Sequence, residues 1–187
     1  YDWALDELVK NGVSVLKLDY RGSQNYGRAY NDAIKYQIGI GDVTDVLNGI
    51  AEAKKQINVE SVSLIGNSYG GYLGLKTLVE HPTEINNVFS INGVTDWWVL
   101  IAGIPWSPFQ AHFGGLPSFK KTTADIASRK KYDVSAIINK VNNLQNLAVA
   151  PKIIIGQATK DGTINPKQAS LMHDVFTAKN IASELVW

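Results

Sequence analysis

Residues 61–80 read SVSLIGNSYGGYLGLKTLVE. A short apolar run of strand composition enters Gly66-Asn67-Ser68-Tyr69-Gly70 and leaves it as a helical pattern. Leu73, Leu75, Leu78 and Val79 supply the apolar positions, and His81-Pro82 ends the helix. A strand that turns straight into a helix reaches its next strand by a crossover, so the junction points to a parallel α/β sheet.

The rest of the chain follows the same alternation. Residues 3–10 have apolar positions at Trp3, Leu5, Leu8 and Val9 and are stopped by Asn11-Gly12, which reads as a helix with a C-terminal glycine. Residues 13–18 are apolar and rich in β-branched side chains, and are expected to form a strand running into the loop DYRGSQNYG. Residues 42–56 have Val43, Val46, Leu47 and Ile50 at helical spacing behind an acidic start. Residues 61–65, 87–91, 151–155 and 183–187 read as strands, and 166–179 as a helix opened by proline. Between residues 92 and 121 the pattern breaks. That stretch holds three of the five tryptophans, and loops and short helices are expected there, with a further short helix over 132–140. The whole is expected to be one α/β domain, a mostly parallel sheet with helices on both faces, incomplete on its N-terminal side.

Composition narrows the function. The chain of 187 residues is long enough for one sizeable core. Its 18 basic and 17 acidic residues give a net charge of +1, which argues against an electrostatic nucleic-acid binder. No run approaches the ~20 apolar residues of a membrane helix. With no cysteine, disulfides, thiolate metal sites and a cysteine nucleophile are excluded. No metal or organic cofactor is implied. The opening YDWALDELVKNG lacks an initiator methionine and the closing IASELVW stops on an apolar run, so both ends read as an excerpt of a longer polypeptide.

The pentapeptide around Ser68 matches G-x-S-x-G. At a strand-to-helix turn this pattern puts the serine in a strained conformation with its Oγ projecting above the sheet edge, while the flanking glycines let strand and helix approach. The helix N-terminus offers a positive field and a free N–H at Tyr69, suited to an oxyanion. The alternative is an ordinary turn that uses small residues for packing. No lysine follows the glycines as a phosphate loop needs, and no dinucleotide fingerprint is present.

The stretch IGNSYGGYLGL resembles the nucleophile segment of the prolyl oligopeptidase family of serine peptidases, which includes dipeptidyl and acylaminoacyl peptidases. In order, DYRGSQNYGRAY, GIGDVTDVLNGI, INGVTDWW and ATKDGTINPKQA are similar to further segments of that family, so the resemblance spans nearly the whole chain. It implies an α/β-hydrolase catalytic domain, of which residues 1–187 would be a part, and a β-propeller elsewhere in the parent chain. It implies a peptide substrate and leaves oligomerisation open.

In α/β-hydrolases an acid and then a histidine follow the serine. Asp161, in the loop after the strand 151–155, is the expected acid; an ordinary Asp-Gly turn is the alternative. Ile164, Asn165 and Pro166 follow it where the family has valine and then often proline, and Gln157-Ala158 stands where the family usually has His-Gly. Of the three histidines, His81 ends a helix, His112 precedes the acid, and His173 lies within a helix, so none suits the base. The resemblance places that histidine beyond Trp187. It also implies a pocket lined by Trp97, Val94 and Ile164, with Tyr69 alongside; core packing is an equal reading for Trp97. The expected activity is peptide hydrolysis through an acyl-enzyme on Ser68. The alternatives are a carboxylesterase on the same fold and a non-catalytic binding module.

Overall fold

The computed structural model describes residues 3–104, 109–113, 130 and 132–187. Helix α1 spans Trp3–Lys10, α2 Arg28–Asp32 and α3 Gly41–Gln56; strand β1 spans Ser63–Asn67, α4 Tyr69–Glu80 and β2 Asn87–Ile91. Two short helices follow, α5 over Trp97–Gly103 and α6 over Phe109–Phe113. The expected single helix over 132–140 is two pieces, because Ala136 is extended (φ −68°, ψ 127°) between helical residues 132–135 and a 3₁₀ helix over Ile137–Leu144. Strand β3 (Lys152–Gly156), helix α7 (Lys167–Ala178) and strand β4 (Glu184–Val186) complete the order.

The four strands lie in the order β1-β2-β3-β4, all parallel, with Asn67 beside Ile91 and Ile91 beside Gly156 at the C-terminal ends. Sequential parallel strands joined by right-handed crossovers place their connecting helices on one face. Strand alternation agrees. Val88 and Ser90 of β2 and Ile153 and Ile155 of β3 are buried, whereas Phe89 and Ile154 are half-buried and Ile65 of β1 is exposed. Gly74 of α4 lies over Leu64 and Val88, so α4 covers the buried face, and every residue from Gly71 to Val79 is buried. The core runs from there through Ile137, Val141 and Leu144 to Met172 and Phe176 of α7.

One expectation is corrected. Residues 13–18 do not form a strand. A strand exists only through its ladder, and no described strand pairs with this segment. Leu16 and Leu18 instead pack over Gly49 of α3. Composition marked the segment as apolar and β-branched, but it could not supply a partner.

Candidate active site

Strand β1 ends at Asn67 and α4 begins at Tyr69, so Ser68 alone makes the turn. It does so at φ 55°, ψ −115°, a region that side chains with a Cβ rarely enter. Close glycine contacts impose that geometry. A Cβ on Gly66 would strike the backbone carbonyl of Gly70 and lie 2.8 Å from its Cα. A Cβ on Gly71 would meet Gly93 Cα and Ser90 Oγ, each at 2.9 Å. Helix α4 is therefore pressed against the ends of β1 and β2. The Ser68 N–H donates to Ile91 O at 2.8 Å, and Ser68 O accepts the Tyr72 N–H at 3.1 Å, closing the first helical turn. The side chain is exposed, and its Oγ bonds to no described residue.

Backbone pressed on backbone cannot yield as a side-chain tip would. Gly66→Ala is accordingly expected to lower stability by about 3 kcal/mol or more, the upper end of overpacking penalties. A urea midpoint equal to that of the parent would mean that the turn does not depend on this contact.

Tyr69 opens α4, so its N–H belongs to the helix's unsatisfied first turn. Its ring sits in an aromatic cluster. It stacks on Tyr20 (5.2 Å between centroids, 15°) and Phe109 (5.9 Å, 25°), and lies 5.5 Å from Trp97. Its hydroxyl donates to Asp42 Oδ2 at 2.6 Å. Asp42 is fully buried at the start of α3, where Oδ1 also accepts the Val43 N–H. Burial pushes the Asp42 carboxyl up, against the opposing pull of the Tyr69 hydroxyl bond. Burial, followed by the Asp42 charge, likewise raises the Tyr69 phenol, so Tyr69 stays a donor. Tyr20 is pushed up to about 12, by burial first and then by Asp42 and Asp19. Arg21 sets Tyr20 in place: its guanidinium grips Asp45 of α3 through Nε at 2.8 Å and Nη2 at 2.7 Å. That grip holds the Asp45 carboxyl below its usual range.

Asp161 lies in the loop after β3. Its Oδ1 accepts the N–H groups of Thr163 (2.8 Å) and Ile164 (2.9 Å), and Gln157 Nε2 lies 3.4 Å from Oδ2. Ser68 and Asp161 both follow the C-terminal ends of parallel strands, β1 and β3, which lie about 10 Å apart at the usual strand spacing. Val94, Trp97 and Ile164 are all buried, at 2%, 1% and 2% exposure. All three belong to the core, where Trp97 packs against the rings of Tyr69, Tyr72, Phe109 and Phe113. Gln168 of α7 holds the segment between Val94 and Trp97 by accepting the N–H groups of Thr95 (2.9 Å) and Asp96 (3.0 Å) on Oε1.

The histidines lie elsewhere. His81 follows the last residue of α4, as its sequence position indicates. His112, in α6, packs edge-on to Phe109 and is pulled down by burial and then by Lys35. His173, inside α7, shares a 2.9 Å hydrogen bond with Ser183. Among the described residues no histidine bonds to Ser68 or Asp161. A recess of about 300 Å³ lined by Tyr36, Ile38, His112, Phe113 and Lys130, among others, contains neither Ser68 nor Asp161.

Sequence reasoning missed the contacts that Tyr20, Asp42 and Phe109 make with Tyr69. Asp42 was visible only as an acidic residue opening a helix. Nothing in the sequence said that its carboxylate would be buried against a tyrosine from another helix.

The sequence matches the prolyl oligopeptidase family over residues 1–187. It is 29% identical over 114 residues to the human acylamino-acid-releasing enzyme, covering 54% of this chain and 16% of that protein. It is 22% identical over 178 residues to dipeptidyl aminopeptidase BIII of Pseudoxanthomonas mexicana, covering 93% of this chain and 25% of that protein. The structure matches the acylaminoacyl peptidase of Pyrococcus horikoshii with a TM-score of 0.72 at 18% identity, over 89% of this chain and 26% of that one. The likeness establishes an α/β-hydrolase fold, of which this chain is a part. The chain spans about a quarter or less of each of these relatives.

Proposed function

This chain belongs to the prolyl oligopeptidase family, and we propose from that premise that it is part of the catalytic domain of a serine peptidase. Ser68 Oγ attacks the carbonyl carbon of a peptide bond while a histidine takes its proton. That histidine is none of His81, His112 and His173. The negative charge that develops on the carbonyl oxygen is met by the Tyr69 N–H and the positive end of α4. Asp161 holds the histidine in the tautomer that can accept the serine proton and stabilises the imidazolium that results. Collapse of the tetrahedral species expels the amine, protonated by the same histidine, and leaves an ester on Ser68 that water then cleaves. Tyr69 presents ring surface to the side chain before the scissile bond, and Trp97, Val94 and Ile164 back that pocket from the core. A β-propeller domain of the same protein restricts which peptides reach it.

The observation that carries this reading is the Ser68 turn, a lone residue at φ 55° between β1 and α4 in a chain of this family. The test is hydrolysis of peptidyl p-nitroanilides and of simple p-nitrophenyl esters by the intact protein, with and without a fluorophosphonate. Release of nitroaniline that the fluorophosphonate abolishes is the expected result. Turnover of the esters alone would make the protein a carboxylesterase, and turnover of neither would make it a binding module.

A further inference from the structure

Two consecutive residues at the end of β2 hold both sides of the site. Ile91 O accepts the Ser68 N–H at 2.8 Å, and the next residue, Asn92, is tied to the neighbouring strand: its N–H donates to Gly156 O at 2.7 Å. Asn92 Oδ1 accepts the Ala158 N–H at 2.8 Å. These bonds straddle Gln157, which is buried, donates its N–H to Val186 O at 2.8 Å, and aims Nε2 at Asp161 Oδ2. Ala158 O in turn accepts the Asp161 N–H at 3.3 Å. On its other side Asn92 reaches back toward β1, with Nδ2 3.5 Å from Oδ1 of Asn67, the residue before Ser68. Asn92 does this at φ 46°, a left-handed conformation that asparagine adopts more readily than most residues. A strained conformation of this kind persists where its surroundings over-determine it, as the short bonds to Gly156 and Ala158 do here.

We propose that Asn92 is a positioning residue that sets the placement of the Asp161 loop relative to the Ser68 turn. The proposal rests on the reading of Ser68 as nucleophile and Asp161 as acid. The Asp161 carboxylate keeps its local shape through its own bonds to the Thr163 and Ile164 N–H groups. What the Asn92 side chain adds is the position of the whole loop. A catalytic arrangement must be held to within about 0.5 Å, and the carboxamide supplies a direct side-chain tie between the end of β2 and the base of that loop.

The test is a set of variants of the intact protein assayed with a peptidyl p-nitroanilide. Asn92→Gly suits φ 46° and removes the CH2–carboxamide side chain, so it should fold with a thermal midpoint lower by no more than a few degrees, the cost of about one hydrogen bond. Its kcat should fall about 10- to 100-fold with KM within about twofold, a moderate fraction of what loss of a triad group costs. Asn92→Asp keeps an acceptor for the Ala158 N–H and should stay within about fivefold of the parent. In an Asp161→Asn background, Asn92→Gly should cost less than about threefold more, because a residue that acts through Asp161 has little left to act on. Parental kcat in Asn92→Gly, a loss undiminished in the Asp161→Asn background, or Asn92→Asp no better than Asn92→Gly would each overturn the proposal. Ser68→Ala, assayed alongside, separates the two levels. If it remains active, the underlying reading fails. If it is inactive while Asn92→Gly behaves as the parent, only the positioning role fails.

Discussion

Ser68→Ala in the intact protein is expected to lower kcat by ~10⁴ to 10⁶, as loss of a triad nucleophile does, while the fold stays intact. The two halves of this expectation have separate causes. Activity should fall because nothing described replaces that nucleophile: the chain has no cysteine, and among the described residues no other sits alone between a strand and a helix. Stability holds because Ser68 is exposed and its Oγ bonds to no described residue, so removing that oxygen costs within about 0.5 kcal/mol. Alanine inherits the same backbone strain at φ 55°, whereas glycine does not. Ser68→Gly should therefore be as inactive as Ser68→Ala and about 1 kcal/mol more stable. Turnover within tenfold of the parent in purified, folded Ser68→Ala would remove the nucleophile assignment.

Asp161→Asn is expected to lower kcat by at least ~10³, because an amide in the acid position favours the wrong histidine tautomer. The local geometry lets this effect be separated from misfolding. Asp161 Oδ1 accepts two backbone N–H groups, and the amide oxygen of asparagine can do the same, so the loop keeps its turn. The changed atom is the one at Oδ2. There an N–H₂ would face the Gln157 Nε2 donor and would offer the histidine a donor where it needs an acceptor. Parental kcat in Asp161→Asn would move the acid elsewhere. A collapse of the thermal midpoint would show that the carboxylate mainly holds the loop together.

How much of this was legible in the sequence differs from element to element. Helices α1 and α4 and strand β2 lie on the residues that periodicity and caps indicated, because apolar spacing, the Asn11-Gly12 stop and the His81-Pro82 break are local signals. Strands β1 and β3 are displaced from their expected bounds, since the ends of a strand depend on where its neighbours stop. The helix over 132–140 divides at Ala136, where Tyr72 donates to Ser135 O at 3.0 Å and Lys76 to Val134 O at 2.8 Å. Those anchors lie more than fifty positions away in sequence, and Lys76 is fully buried, a placement no hydropathy pattern would give it.

For the candidate site the division is similar. The sequence by itself determined the junction at Ser68, because glycine, serine and glycine at fixed spacing between a strand pattern and a helix pattern leave few other geometries. It also determined the alternation that makes the sheet parallel, and therefore which end of the strands carries Ser68 and Asp161. Only the tertiary structure decided that residues 13–18 would lie over α3 rather than join the sheet. It alone decided that Asp42 would be buried against Tyr69, and that Asn92 would bridge the ends of three strands. The physical reason is that turns and helix caps are written in neighbouring residues, whereas a ladder partner, a buried carboxylate or a bridging amide exists only once distant segments have packed together.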